Sequence, residues 1–195
     1  MMKTTCTLMF LLVAASGAFA GPLDTPGATK ALTCSACHGM AGQSPSNAMP
    51  IIAGIDPAYF KKAMEDYATG KRPSPEMEPY AKMVRELGVE DVGAYFAAQK
   101  RQPTSVPANA AAAERGKVAA AQCAVCHGPD GRGDPAKVIP DLRGQPEGYL
   151  RQQMLLFKAD KRSPGDPNLT ALKALMKTIP DATLGDLAAY FSSVR

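Results

Sequence analysis

The pentapeptide Cys-x-x-Cys-His occurs twice in this sequence, as CSACH at 34–38 and as CAVCH at 123–127. These motifs hold four of the five cysteines and both histidines of the chain. Two thiols three positions apart on a helical turn lie on one side of the chain, and the histidine that follows projects its ring toward them. Whatever fold the chain adopts must build this arrangement twice.

The fifth cysteine, Cys6, lies in a segment that reads as a leader. Residues 1–20, MMKTTCTLMFLLVAASGAFA, place Lys3 before an apolar run at 8–15 and end on small residues at Ala18 and Ala20. We expect cleavage after Ala20 and a product located in the periplasm. No second stretch is long enough to cross a bilayer, so the membrane enters only through a partner oxidase or reductase. Losing Lys3 lowers the formal net charge from +4 to +3, too weak a bias for nucleic acid, and no basic stripe with interleaved aromatics is present.

A repeat extends well beyond the two motifs. Gly27 and Gly116 stand seven residues before the first cysteine of each. Pro50 in MPIIAG and Pro140 in IPDLRGQ follow, and then a helical segment in which Tyr59, Met64, Tyr67 and Arg72 match Tyr149, Met154, Phe157 and Arg162 at a constant offset of 90. Each half closes on an amphipathic stretch, VEDVGAYFAA or LGDLAAYFSSV. Pro103 and Pro107 break the region between the halves. We expect an N-terminal domain at 21–101, a linker at 102–109 and a C-terminal domain at 110–195. No segment alternates apolar and polar residues over a strand's length, so the fold reads as all-α. With 6% aromatics and no Trp, neither half has the material for a large core, and a disulfide, a metal or a bound group is expected to supplement it.

In an exported protein, Cys-x-x-Cys-His is the attachment signature for haem c: the thiols add to the two vinyl groups and the histidine becomes an iron ligand. A redox-active pair of the thioredoxin type would need a preceding strand, and a zinc site would pair two Cys-x-x-Cys elements at short range. A local disulfide in each motif is the remaining alternative. Haem also accounts for the small cores. Two covalently bound haem c groups are therefore expected, at Cys34 and Cys37 and at Cys123 and Cys126, with His38 and His127 on the irons. The two glycines would let the first helix of each half approach the last one closely, against Tyr95 or Phe96 and Tyr190 or Phe191.

The segments CSACHG, PIIAG, GKRPSPEM and VGAYF in the first half resemble a dihaem cytochrome c of the cytochrome c4 type. CAVCHGPDGRG, PDLRGQ, YLRQQM and LGDLAAYF in the second extend the resemblance over the mature chain. The first half, with IDPAYFKKAMEDYATG, is also similar to the dihaem cytochrome subunit of flavocytochrome c sulfide dehydrogenase. The resemblance implies two tandem class I cytochrome c domains, each wrapped around one covalently attached haem. It also implies that the Pro50 and Pro140 carbonyls accept the Nδ1 protons of His38 and His127. It places a methionine on the sixth position of each iron.

Ten methionines are present, so residue type alone does not select that ligand. Met77 stands five residues after Arg72 and eighteen before Tyr95, in a stretch broken by Pro73, Pro75 and Pro79, and reads as a loop methionine aimed inward. Met83 reads as helix core, and Met64 and Met154 as packing beside the haem. The same counts in the second half reach Pro167 and Leu172. Met176 is the only thioether of the longer loop SPGDPNLTALKALMKT. It is the candidate ligand, with an apolar helix position shared with Leu169 and Leu172 as its other reading.

The function these residues imply is an exported carrier of single electrons between redox donors and acceptors of a respiratory chain. A flavin or other dehydrogenase subunit oxidising a sulfur compound is the alternative partner, and catalysis at an open second haem a less favoured one. Lys61, Lys62, Lys71 and Arg72, and Arg143, Arg151, Lys158, Lys161 and Arg162, read either as docking rims or as solvated faces.

Overall fold

The computed structural model describes residues 25–195, so the leader, Cys6 and the expected cleavage point lie outside the described residues. Among the described residues no strand forms, and one isolated antiparallel bridge pairs Asp134 with Ile139. The first half contains α1 (Ala28–Ala31), α2 (Ser35–His38), α3 (Pro57–Ala68), α4 (Met77–Leu87) and α5 (Val89–Ala97). The second contains α6 (Ala110–Ala119), α7 (Ala124–His127), α8 (Glu147–Lys158), α9 (Thr170–Thr178) and α10 (Asp181–Ser193). Helix α6 starts at the alanine run, where helix propensity is highest, and Asn109 caps it by accepting from the Ala112 N–H at 2.9 Å.

The first helix of each half crosses the last at a distance only glycine permits. A Cβ on Gly27 would lie 2.0 Å from the Asp91 carbonyl oxygen, and one on Gly116 would lie 2.0 Å from that of Asp186. Each crossing is flanked by an ion pair, Lys30 with Asp91 at 2.5 Å and Arg115 with Asp186 at 2.6 Å. Between these helices and α3 or α8 lie two apolar cores. Phe60, Met64, Tyr67, Val84, Val92 and Phe96 build the first; Leu150, Met176, Leu184, Leu187 and Phe191 build the second.

The halves meet along α3 and α8. Arg72 donates through Nη2 to the Tyr149 hydroxyl at 2.8 Å, and Arg162 donates through Nη2 to the Tyr59 hydroxyl at 2.9 Å. The Gln153 carbonyl oxygen accepts from both, 3.0 Å from Arg72 Nε and 2.8 Å from Arg162 Nη1. The position matching Gln153 at the 90-residue offset is Ala63, so one amide serves both guanidinium groups. Arg162 reaches the interface from a tight loop in which Asp160 and Ser163 adopt positive φ (52° and 49°). Lys173 holds this loop by donating to Asp160 Oδ1 at 2.6 Å and to the Ser163 carbonyl at 2.5 Å.

The two long interface helices are capped differently. Asp56 caps α3 from its own chain segment, accepting from the Tyr59 N–H at 2.8 Å. Helix α8 has Pro146 at its cap position, which offers no side-chain acceptor. Asn47 of the first half supplies it instead: its side-chain oxygen accepts from the Gly148 N–H at 3.0 Å and its carbonyl from the Tyr149 N–H at 2.9 Å. Between the halves, Thr104 donates its N–H to the Gly144 carbonyl at 2.8 Å, and Gln102 pairs with Gln43 through two hydrogen bonds. The connecting segment is thereby fastened on both sides.

Candidate haem sites

Each Cys-x-x-Cys-His segment is built the same way. A 3-10 turn, Leu32–Cys34 or Ala120–Gln122, runs into a single helical turn that ends on the histidine. Gly39 (φ 74°) and Gly128 (φ 75°) then reverse the chain in the left-handed region, which glycine occupies without steric cost. The chain returns so that the Pro50 carbonyl lies 2.9 Å from His38 Nδ1 and the Pro140 carbonyl 3.0 Å from His127 Nδ1. A carbonyl can only accept, so Nδ1 carries the proton and Nε2 keeps its lone pair for a metal. Burial lowers both imidazole pKa values, against the opposing pull of the proline carbonyls, and so favours the neutral, ligating form.

The thiols fit attachment to a bound group better than the alternatives. None of the four is in a disulfide; Cys34 and Cys123 are half-buried, while Cys37 and Cys126 are exposed. Burial pushes the Cys34 and Cys123 thiols up, the opposite of what a redox-active thiolate needs. Among the described residues no group of three or more His, Cys, Asp or Glu side chains is gathered as a metal site in its own right. A porphyrin carrying carboxylates also suits the interior charge. Arg72 is 2% exposed and Arg162 8%, yet among the described residues neither forms a salt bridge, and Arg162 Nε is buried without a partner. Buried cations held by neutral tyrosine and glutamine oxygens and by the ring faces of Tyr67 and Phe157 still lack a counter-charge, and an anion from the bound group would offset that cost.

The methionines fall as follows. Met77 is half-buried against the first core, to which Cys34 also packs. It opens α4 instead of lying in a loop, and its N–H is received by Ser74 Oγ at 3.2 Å. Pro79 does not prevent this, because the N–H groups of a first turn have no intrahelical acceptor to lose. Met176 is 4% exposed within α9, in the core against which Cys123 packs. Met83 is half-buried on α4, and Met64 and Met154 belong to the two cores as packing residues.

Several residues read as docking rims are otherwise employed. Arg72 and Arg162 point between the halves, for the reason just given. Lys158 donates to the Ile179 carbonyl at 2.6 Å and pairs with Asp181 at 2.7 Å; Arg143 is held by Asp141 at 2.7 Å. Lys61 and Lys62 pair with Glu90 and Asp66, while Lys71, Arg151 and Lys161 are exposed. Asn47, Gln145, Gln153 and Lys173 take part in polar contacts without any local sequence pattern that marks them. The aligned Tyr59 and Tyr149 with Arg72 and Arg162 were a signal of a shared polar role, but Gln153, facing an alanine in the repeat, carried none.

Residues 113–195 match the family model described as Cytochrome c. The chain is 31% identical, over 84% of its length and 80% of the relative's, to the thiosulfate dehydrogenase electron acceptor of Stutzerimonas stutzeri. It is 29% identical to cytochrome c4 of Pseudomonas aeruginosa over the full length of both chains. The crystal structure of reduced recombinant cytochrome c4 from Pseudomonas stutzeri superposes with a TM-score of 0.77 at 26% identity, covering 87% of this chain and 97% of that one. The chain belongs to the dihaem cytochromes c of the cytochrome c4 type. As in other cytochromes c4, two class I cytochrome c domains stand in tandem, two haem c groups are bound covalently, and the protein transfers electrons. No helix among the described residues of this cytochrome c4 is long and apolar enough to cross a membrane.

Proposed function

We propose that this cytochrome c4 is exported to the periplasm after cleavage behind Ala20 and carries single electrons between redox partners of a respiratory chain. Its domains are 21–101 and 110–195, joined at 102–109. Haem attaches at Cys34 and Cys37 and at Cys123 and Cys126, with His38 and Met77 on one iron and His127 and Met176 on the other. The observation that carries this reading is the twofold recurrence of unpaired thiols beside a buried imidazole whose Nδ1 is tied to a proline carbonyl. The haem iron supplies the one-electron Fe(III)/Fe(II) couple when bound. The chain's part is to hold the proximal ring in one tautomer, exclude water with the two cores and balance the haem carboxylates with Arg72 and Arg162. Spectra of methionine variants test the ligand set: Met77→Leu and Met176→Leu each remove the thioether charge-transfer band of one haem. Retention of both bands in the Met176 variant would strike that residue from the set.

A second reading concerns the donor. The relative from Stutzerimonas stutzeri is named for accepting electrons from a thiosulfate dehydrogenase, and this chain aligns with most of its length. We propose the same class of donor here, an enzyme oxidising an inorganic sulfur compound. Mixing the oxidised protein with such a dehydrogenase and thiosulfate should reduce both haems within the enzyme's turnover time; no reduction would exclude that donor.

A further inference from the structure

The peptide unit that receives the His38 proton is itself held by the other half of the molecule. Pro50 C=O and Ile51 N–H belong to one peptide group. The carbonyl lies 2.9 Å from His38 Nδ1, and the N–H donates to Gln145 Oε1 at 2.9 Å. Gln145 closes the pair by donating through Nε2 to the Ile51 carbonyl at 2.7 Å. Both partners are buried, Gln145 at 9% exposure and Ile51 at 1%. Gln145 is fixed in turn: its N–H donates to the Leu142 carbonyl, and neighbouring Gly144 bonds to Phe191 and Thr104.

The second half has no equivalent. By the repeat, the residue matching Gln145 is Ile55, which has no side-chain donor or acceptor. The peptide matching Pro50–Ile51 is Pro140–Asp141, and among the described residues the Asp141 N–H has no protein acceptor. Arg101 of the first half reaches the Asp141 carboxylate, at 3.5 Å, and donates to the Arg143 carbonyl, but it does not bond the Pro140–Asp141 peptide group. The grip on a histidine-bound peptide group therefore runs one way among the described residues, from the second half onto the first.

We infer that Gln145 is a positioning residue for the first haem, acting from the opposite domain through Ile51 and Pro50 on His38. The inference rests on the ligand reading proposed above. An acceptor on a peptide N–H increases negative charge on that peptide's carbonyl oxygen, so hydrogen bonds in such a chain strengthen one another. A stronger acceptor at Nδ1 makes the imidazole a more basic ligand and favours Fe(III). Gln145 thereby lowers the potential of the first haem and leaves the second unaffected, setting part of the difference between two otherwise similar sites.

The test is spectroelectrochemical titration of the full-length, haem-loaded protein, with the two haems assigned from their separate haem-methyl NMR signals. In Gln145→Leu, the ratio of reduced to oxidised first haem at fixed ambient potential rises at least threefold, about 28 mV at 59 mV per decade. The ratio for the second haem changes by less than that. Gln145→Glu keeps the acceptor for the Ile51 N–H and shows no such rise. A first-haem potential unchanged in Gln145→Leu while thermal stability falls would make Gln145 a structural staple and overturn the inference, as would equal shifts of both haems. Should Gln145→Leu fail to accumulate, Gln145→Glu decides, a threefold rise there counting against the inference. A product lacking haem would overturn the underlying ligand reading instead.

Discussion

At the scale of single residues, the contacts between the halves turn on tyrosine hydroxyls facing guanidinium groups. Burial alone would raise the Tyr59 phenol, but Arg162 and Arg72 outweigh it and pull it down to about 8. Removing the hydroxyl in Tyr59→Phe leaves a buried guanidinium N–H unsatisfied and should cost about 1–3 kcal/mol in denaturant titrations. The loss has a pH dependence. The folded pKa lies below the unfolded value of about 10, so this group's stabilisation is full above that value and fades as pH falls through about 8. The stability gap between wild type and Tyr59→Phe should therefore widen from pH 8 to pH 10; a constant gap would show that the phenol is not so perturbed. Gly116→Ala would press a Cβ onto the Asp186 carbonyl at 2.0 Å and should destabilise the second half by about 1–3 kcal/mol through forced separation of α6 from α10.

At the scale of elements, the cap of α8 shows what a one-dimensional reading misses. Asp56 before Pro57 announces the start of α3 in the sequence, and the structure caps α3 with it. No capping side chain beside Glu147 marks where α8 starts, because its acceptors come from Asn47, a hundred residues earlier. Asn47→Ala should cost about 1 kcal/mol, measured as a lowered midpoint for the whole protein although the altered residue lies in the first half. The helices at 57–68 and 147–158, the closing helices and the two Cys-x-x-Cys-His turns were legible because local periodicity and glycine placement determine them. The start of α4 at Met77 was not, since the flanking prolines suggested a loop and the Ser74 hydroxyl that receives its N–H lies outside the helix. Arg72 and Arg162 were misread as surface charges for a similar reason: their burial depends on the opposite half, which no single repeat contains.

At the scale of the whole molecule, two copies of one plan share an interior polar girdle that neither completes alone. Arg72 needs Tyr149, Arg162 needs Tyr59, and Gln153 needs both arginines. The halves should therefore unfold together, and a guanidinium titration followed at each haem should give coincident midpoints; separated midpoints would mean that the girdle adds little. The most direct test of the account is the mass of the purified, exported chain, read with its visible spectrum. The account predicts the mass of residues 21–195 plus two haem groups, falling to one when Cys123 and Cys126 are both replaced by alanine. A colourless product with the mass of the polypeptide alone would contradict it.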